Sequence, residues 1–234
     1  MPPQSRGTVA AHSSAANAGS SRGGPSAGSA TVVRGGRVSN GLKEFVSQLH
    51  GIGRGHLLDM GPARQTTINF FIERSFKVYT EDLLTTWKLF LESDEKKKSE
   101  LPAEADRSDM TPAVRAERFL ESTMGYPDDT FDGVLMWDLL DYLDTDLVNR
   151  LVKRITSLVR DGGVVLAIFH TKKPEAFHRY CVLDDQHVEL IPATRPLAPL
   201  HVYQNREISN LFGRFRSSKM FVGREQFREG LFLK

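Results

Sequence analysis

Two pairs of residues in this chain have the types and spacing needed to hold a nucleotide-like ligand. Asp59 and Gly61 lie where a short apolar strand, His56–Met60, runs into a helix signal. Glu81 and Asp82 follow the next predicted strand and lie 22 and 23 residues beyond Asp59. A carboxylate about 20 residues past such a loop binds ribose hydroxyls in dinucleotide sites. Since glycine has no Cβ, Gly61 lets the backbone turn sharply beside a ligand.

Each of these acids also has a plainer interpretation. Asp59 can serve as the partner of a helix N-terminus. Glu81 and Asp82 can be surface acids or caps, and Asp82 is well placed to cap the following helix. That position favours Glu81 as the ribose partner in the resemblance described below. Asp138 lies in an acidic stretch, 138–146, where a cap or a solvated charge competes with a catalytic role.

Short apolar segments alternate with amphipathic helices along most of the chain. Ser39 or Asn40 caps the first helix, and Asp144 or Thr145 caps a long helix later on. This order implies right-handed crossovers and a mainly parallel sheet with helices on both faces. Two final strands, 220–224 and 230–233, are expected to pair antiparallel at one edge. The strands predicted before them are 56–60, 76–80, 118–121, 131–137 and 164–169.

The length of 234 residues predicts one sizeable α/β domain, over 38–234. Residues 1–37 are rich in Ser, Ala, Gly and Arg, and we predict that this tail is disordered. The polar composition of residues 92–112 predicts a flexible insertion. Residues 171–205 give weak strand signals, and we interpret them as an excursion over the strand ends on the substrate side.

Composition limits the partners and the compartment. The net charge of +2 does not by itself argue for nucleic acid, although a basic C-terminal third leaves that partner open. The single cysteine, Cys181, is typical of a reducing compartment. No segment approaches the roughly 20 apolar residues of a membrane span, so we expect a cytoplasmic protein that does not use a membrane. The histidines show no metal-ligand spacing, and we predict no metal site.

Four segments give the chain a resemblance to the class I methyltransferases that use S-adenosylmethionine, over about residues 40–234. They are Leu58–Gly61, Glu81–Asp82, Phe131–Asp138 and Arg160–Leu166. The resemblance implies a doubly wound α/β fold with a mainly parallel, seven-stranded sheet, helices on both faces and an antiparallel last strand. It also implies S-adenosylmethionine as the cofactor.

The resemblance assigns roles to particular residues. Asp59 would interact with the amino-acid end of the cofactor, Glu81 or Asp82 with the ribose, and Glu121 or Ser122 with the adenine edge. Asp138 would be the catalytic residue, next to Trp137 where methyl donor and acceptor meet. The full set that the resemblance assigns to the cofactor is Asp59, Gly61, Ala63, Glu81, Asp82, Glu121, Ser122 and Trp137.

The loop after the first strand departs from the glycine-rich pattern of that family. Ala63 and Gln65 stand at its second and third glycine positions, and Gln65 would project a long side chain where the cofactor passes. The glycine pattern of a nicotinamide-dependent oxidoreductase is missing altogether.

The first functional hypothesis is methyl transfer to a small-molecule acceptor, bound near Trp137, Asp138 and His170 under a lid from 171–201. In-line displacement mainly requires that donor and acceptor be positioned and water excluded. The alternative is an inactive, methyltransferase-like binding or scaffold protein. Its partner would dock on a basic C-terminal surface, and the sequence leaves the oligomeric state open. The arginines of that surface are Arg206, Arg214, Arg216 and Arg224.

Overall fold

The computed structural model describes residues 36–100, 111–193, 197–223 and 227–234. The predicted disordered tail therefore lies outside the described residues, except for its last two positions. Arg37 belongs to a short strand, β1 (Arg37–Val38), so order begins slightly earlier than the sequence predicts. None of the described helices is both long and apolar enough to cross a membrane.

A six-stranded mixed sheet forms the centre of the described part of the chain. Its strands lie in the order β3-β2-β4-β5-β9-β8. The first four of these are parallel, whereas β9 runs antiparallel to both of its neighbours. The prediction of an α/β fold with a mainly parallel sheet is confirmed. The strands are β2 (Gly55–Asp59), β3 (Phe76–Thr80), β4 (Phe131–Trp137), β5 (Val159–His170), β8 (Ser217–Val222) and β9 (Phe227–Leu233).

Helices cover both faces of this sheet, and each face has its own apolar core. One core contains residues of α1 and α2, and the other contains residues of α3, α4, α5 and α6. Two caps agree with the sequence: the side chain of Ser39 accepts from the backbone of Leu42, and that of Asp144 from the backbone of Leu147. The helices are α1 (Asn40–Gln48), α2 (Gln65–Ile72), α3 (Leu83–Glu100), α4 (Pro112–Thr123), α5 (Thr145–Leu158) and α6 (Asn205–Leu211).

The predicted strand at 118–121 is wrong, because these residues belong to α4. Thr111 caps this helix and proline occupies its first turn, an arrangement that favours helix initiation. The buried residues Ala116, Phe119 and Leu120 repeat at helical spacing, which a window of four residues is too short to reveal. The described sheet consequently has six strands rather than seven, with β3 at its edge.

The predicted insertion at 92–112 is also corrected. Residues 92–100 continue α3, while 101–110 lie outside the described residues. The reason is a buried carboxylate, Asp94, which attracts Arg115 and Arg118 of α4 at 3.9 and 3.3 Å. This pairing ties the polar end of α3 to the neighbouring helix.

The excursion at 171–205 contains a β-hairpin that its weak strand signals did not predict. Strands β6 (His178–Val182) and β7 (His187–Pro192) pair antiparallel, and β1 adds to the other edge of β7. With Phe177 we call this unit the 177–192 hairpin. It packs on α2, where the hydroxyl oxygen of Thr67 accepts from the backbone N–H of Val182 at 2.9 Å.

Gly133, in the middle of β4, leaves no room for a side chain. A Cβ there would lie 2.8 Å from the ring of Phe45 and 3.0 Å from Leu57. We expect Gly133→Ala to lower the free energy of unfolding by about 1–3 kcal/mol through overpacking. Denaturant unfolding measures this loss. Gly125→Ala is the control, since its Cβ would meet nothing closer than 3.6 Å; equal losses in the two variants would contradict the packing argument.

Candidate functional site

The carboxyl ends of β2 and β4 bring Asp59 against Trp137. One carboxylate oxygen of Asp59 accepts from the Trp137 indole N–H at 2.7 Å and from the backbone N–H of Gly61 at 3.0 Å. Burial raises the pKa of Asp59 to about 6, against the opposing effect of these two hydrogen bonds. A Cβ at Gly61 would approach the indole to 3.1 Å, so glycine avoids a tight contact with Trp137.

Trp137 adopts an unusual backbone conformation that aims its ring into the site. Its φ is +52°, in the left-handed region that bulky residues rarely occupy. Such strain costs about 1–3 kcal/mol and is typical of functional sites. The indole stacks on the ring of Tyr180 in the 177–192 hairpin, with centroids 5.2 Å apart and planes 4° from parallel.

The two acids after β3 have separate partners. Glu81 accepts a hydrogen bond from the Tyr126 hydroxyl at 2.6 Å. Asp82 accepts from the backbone N–H of Thr85, as a cap of α3 does, and also binds the guanidinium of Arg179 at 3.0 Å. The capping interpretation of Asp82 is therefore correct, and Glu81 remains the acid that a ribose could engage.

Glu121 and Ser122, which the resemblance assigns to the adenine edge, lie elsewhere, and Gln65 does not point where the sequence predicts. Glu121 and Ser122 are exposed on α4, because the strand that would have carried them to the sheet edge is helical. Glu121 lines a groove of about 450 Å³ between α4 and α5. Ala63 is exposed. Gln65 is exposed too, and its amide donates to Asn69 at 2.6 Å, so it does not project into the strand-end crevice as predicted.

A chain of buried titratable groups continues from this point. The Tyr180 hydroxyl donates to Oδ2 of Asp138 at 3.0 Å, and the same oxygen lies 3.8 Å from Nε2 of His170. On the other side of the imidazole, Nδ1 lies 2.8 Å from Oδ2 of Asp141, which also accepts the His170 backbone N–H at 2.8 Å. Burial raises the pKa of Asp138 to about 7, although His170 and Tyr180 oppose the shift.

Sequence reasoning missed Asp141 and Tyr180. Asp141 lies three residues after Asp138, on a short 3-10 turn (Leu139–Tyr142), so the spacing of the two acids was a usable signal. Tyr180 had no such signal, since it lies in the segment with weak patterning and meets Asp138 across 42 residues of chain.

Little space remains at the strand ends while the 177–192 hairpin is in place. The crevice lined by Gly61, Trp137, Asp138, Arg179 and Tyr180 has a volume of about 20 Å³. That is room for a water molecule, whereas small-molecule sites occupy about 300–1,000 Å³. The chain's own hairpin therefore occupies the place that the sequence assigns to a ligand.

Fold and site together define a doubly wound α/β protein whose candidate ligand crevice lies at the carboxyl ends of its parallel strands. Solved structures that resemble it include the 1,6-didemethyltoxoflavin-N1-methyltransferase of Burkholderia thailandensis, with 15% identity over 83% of this chain and 78% of that chain and a TM-score of 0.40. A methyltransferase of Methanosarcina mazei shares 12% identity over 78% and 93% of the two chains, with a TM-score of 0.43. A methyltransferase from Aquifex aeolicus shares 13% identity over 82% of this chain and 88% of that chain, with a TM-score of 0.40.

No protein-family model matches the chain, and no curated protein matches it significantly. The likeness to the solved structures is distant, and it carries no information about the cofactor or acceptor of this chain.

Proposed function

We propose that this protein binds S-adenosylmethionine at the carboxyl ends of β2, β3 and β4 and transfers a methyl group to a small-molecule acceptor. The observation that carries the proposal is the arrangement of Asp59 and Glu81 at adjacent strand ends beside the Gly61 turn. The backbone N–H of Glu81 donates to the carbonyl of Asp59 at 2.8 Å, which holds the two acids side by side. When bound, the cofactor supplies an electrophilic methyl group on a sulfonium.

The charge at Asp59 suits a cationic ligand. This carboxyl is 2% exposed and has two N–H donors, yet it forms no ion pair with a cation among the described residues. A buried carboxylate without a counter-ion is unfavourable, and a positively charged ligand would relieve that cost. The ammonium group and sulfonium of S-adenosylmethionine are both cationic, so the donor set fits this cofactor.

The volume fits only if the 177–192 hairpin moves. Its contacts with the crevice are made by side chains: Arg179 with Asp82, and Tyr180 with Trp137 and Asp138. The strand pairing inside the hairpin does not depend on these contacts. Lids that open for a ligand and close over it are common in enzymes that exclude water.

Calorimetry with S-adenosylhomocysteine tests the proposal directly. We expect binding to the wild-type protein and a loss of about 10- to 100-fold in affinity for Asp59→Asn, because a hydrogen bond to a charged group contributes about 1.5–3 kcal/mol. Asp146→Asn, an exposed acid on α5, is the matched control.

Cys181 provides a second readout in the unmodified protein. It is the one cysteine of the chain, and it is buried on β6 with its sulfur 3.7 Å from the hydroxyl of Thr67. If ligand binding displaces the hairpin, S-adenosylhomocysteine will accelerate the reaction of this thiol with a disulfide reagent. No heat of binding and no change in thiol reactivity would together contradict the proposed function.

A second candidate is a methyltransferase-like binding protein without catalysis. The filled crevice favours it, as do three exposed arginines, Arg206, Arg214 and Arg216, for which no ion pair is found among the described residues. Arg224, the fourth residue of that predicted surface, lies outside the described residues. A hairpin-loosened variant that still fails to bind S-adenosylhomocysteine would favour this candidate.

A further inference from the structure

The contacts of Tyr180 indicate what kind of methyl acceptor the crevice could hold. Its phenol ring stacks flat on Trp137, and its hydroxyl donates to Asp138. Both partners belong to β4 and the residue directly after it, where the proposed function locates methyl transfer. The phenol of Tyr180 therefore occupies the crevice, and its hydroxyl is hydrogen-bonded to the carboxyl group of Asp138.

Asp138 lies beside the buried imidazole of His170. When the imidazole of His170 is neutral and its Nδ1–H donates to Asp141, its lone pair lies on Nε2. This nitrogen faces Oδ2 of Asp138, the oxygen that Tyr180 contacts. One oxygen therefore lies between the phenol and the imidazole.

A purely structural role does not explain why two aspartates and a histidine are buried together here. Asp138, Asp141 and His170 are 3%, 0% and 2% exposed, so two carboxyl groups are buried around one imidazole. Oδ1 of Asp141 has no hydrogen-bond partner among the described residues. Burying a second acid in such a cluster costs stability that an apolar residue would not cost.

We propose that the methyl acceptor is a planar aromatic hydroxyl that replaces Tyr180 on Trp137 and Asp138, and that Asp138 passes its proton to His170. This inference rests on the proposed function. The acceptor's O–H bond breaks and its electron pair remains on oxygen, which forms the new bond to the methyl carbon. The electron pair of the broken carbon–sulfur bond stays on sulfur.

The proton has a defined route. It moves to Oδ2 of Asp138 and from there to Nε2 of His170, giving an imidazolium between two carboxylates. Asp138 touches the acceptor and is the catalytic residue, whereas His170 and Asp141 act through it as positioning residues. An acceptor without a removable proton, such as a thioether, would have no use for this arrangement.

Binding of p-cresol, with toluene as the control ligand, tests the inference without the cofactor. Tyr180→Ala removes the ring and leaves a cavity between Trp137 and Asp138, and a cavity left by a removed side chain can bind a ring-sized ligand. We expect this variant to bind p-cresol at least 10-fold more tightly than toluene. Tryptophan fluorescence, measured in a Trp87→Phe background so that Trp137 is the only emitting tryptophan, follows the binding. Adding Asp138→Asn should remove the preference.

The ionisation of bound p-cresol tests His170. Its ultraviolet difference spectrum against pH gives the fraction present as phenolate, and His170→Gln in the Tyr180→Ala background should move that ionisation to higher pH. A merely structural role would leave the ionisation unchanged. Equal affinity for p-cresol and toluene would overturn the acceptor class, and an unmoved ionisation would overturn the relay.

The wild-type protein gives an independent test if Tyr180→Ala does not fold. There, p-cresol should compete with Tyr180 and accelerate the reaction of the Cys181 thiol, while toluene should not; identical rates with both would overturn the inference. Failure of S-adenosylhomocysteine to bind would count against the proposed function alone, so the two failures are distinguishable.

Discussion

Tyr180→Ala is expected to bind S-adenosylhomocysteine at least about 10-fold more tightly than the wild-type protein. The substitution removes an aromatic stack worth about 0.5–1.5 kcal/mol and a hydrogen bond to a charged group worth about 1.5–3 kcal/mol. Both contacts hold the 177–192 hairpin in the crevice. Since apparent affinity falls with the fraction of binding-competent molecules, a loosened hairpin raises it.

Two variants control for this result in calorimetry. Tyr203→Ala removes a buried tyrosine from the core on the other face of the sheet, and it should lower stability without changing affinity. Arg179→Ala breaks the partly exposed ion pair with Asp82 and should have a smaller effect, because such pairs contribute about 0–1 kcal/mol. Unchanged affinity in Tyr180→Ala would show that the hairpin does not compete with the ligand.

Asp138→Asn is expected to make the protein more stable at pH 8 and to have little effect at pH 4. Burial raises the pKa of Asp138 to about 7 in the folded protein, from 3.8 for the unperturbed group. Between these two values the folded state holds a proton that the unfolded state releases, so stability falls progressively as the pH rises from about 4 to about 7. Asparagine has no charge to bury and avoids this loss.

Thermal unfolding at the two pH values measures the effect. A gain of about 2 kcal/mol at pH 8 corresponds to about 4–8 °C for a chain of this size. At pH 4 the carboxyl is protonated in the folded state and only partly ionised in the unfolded state, so the difference should be small. Asp146→Asn, exposed on α5, should show no such pH dependence, and an equal gain at both pH values would contradict the assignment to Asp138. A group that costs stability at neutral pH is typical of a functional site.

The elements nearest the site were largely predictable. Strands 76–80 and 131–137 agree with the structure residue for residue, and the caps at Ser39 and Asp144 agree as well. In these segments the apolar pattern and the cap lie within a few residues of each other. Local sequence was sufficient because the forces that select these elements are local.

The wrong predictions concern residues whose conformation is determined by tertiary packing. Residues 118–121 look like a strand in isolation but pack as one turn of α4 against the rest of the core. The role of Gln65 was misjudged because its direction depends on how α2 begins. The roles predicted for Glu121 and Ser122 were wrong for the same reason, because they depended on the strand predicted at 118–121. Two apolar residues in a window of four do not distinguish a strand from a buried helical turn.

The sequence by itself determined that Asp59, Gly61 and Glu81 meet at the carboxyl ends of parallel strands, because strand order and loop position follow from local patterns. Only the tertiary structure decided what fills that crevice. Trp137 and Asp59 meet across 78 residues of chain, and Tyr180 and Asp138 across 42. Contacts at such separations depend on the packing of the whole domain, and no periodicity within one segment encodes them.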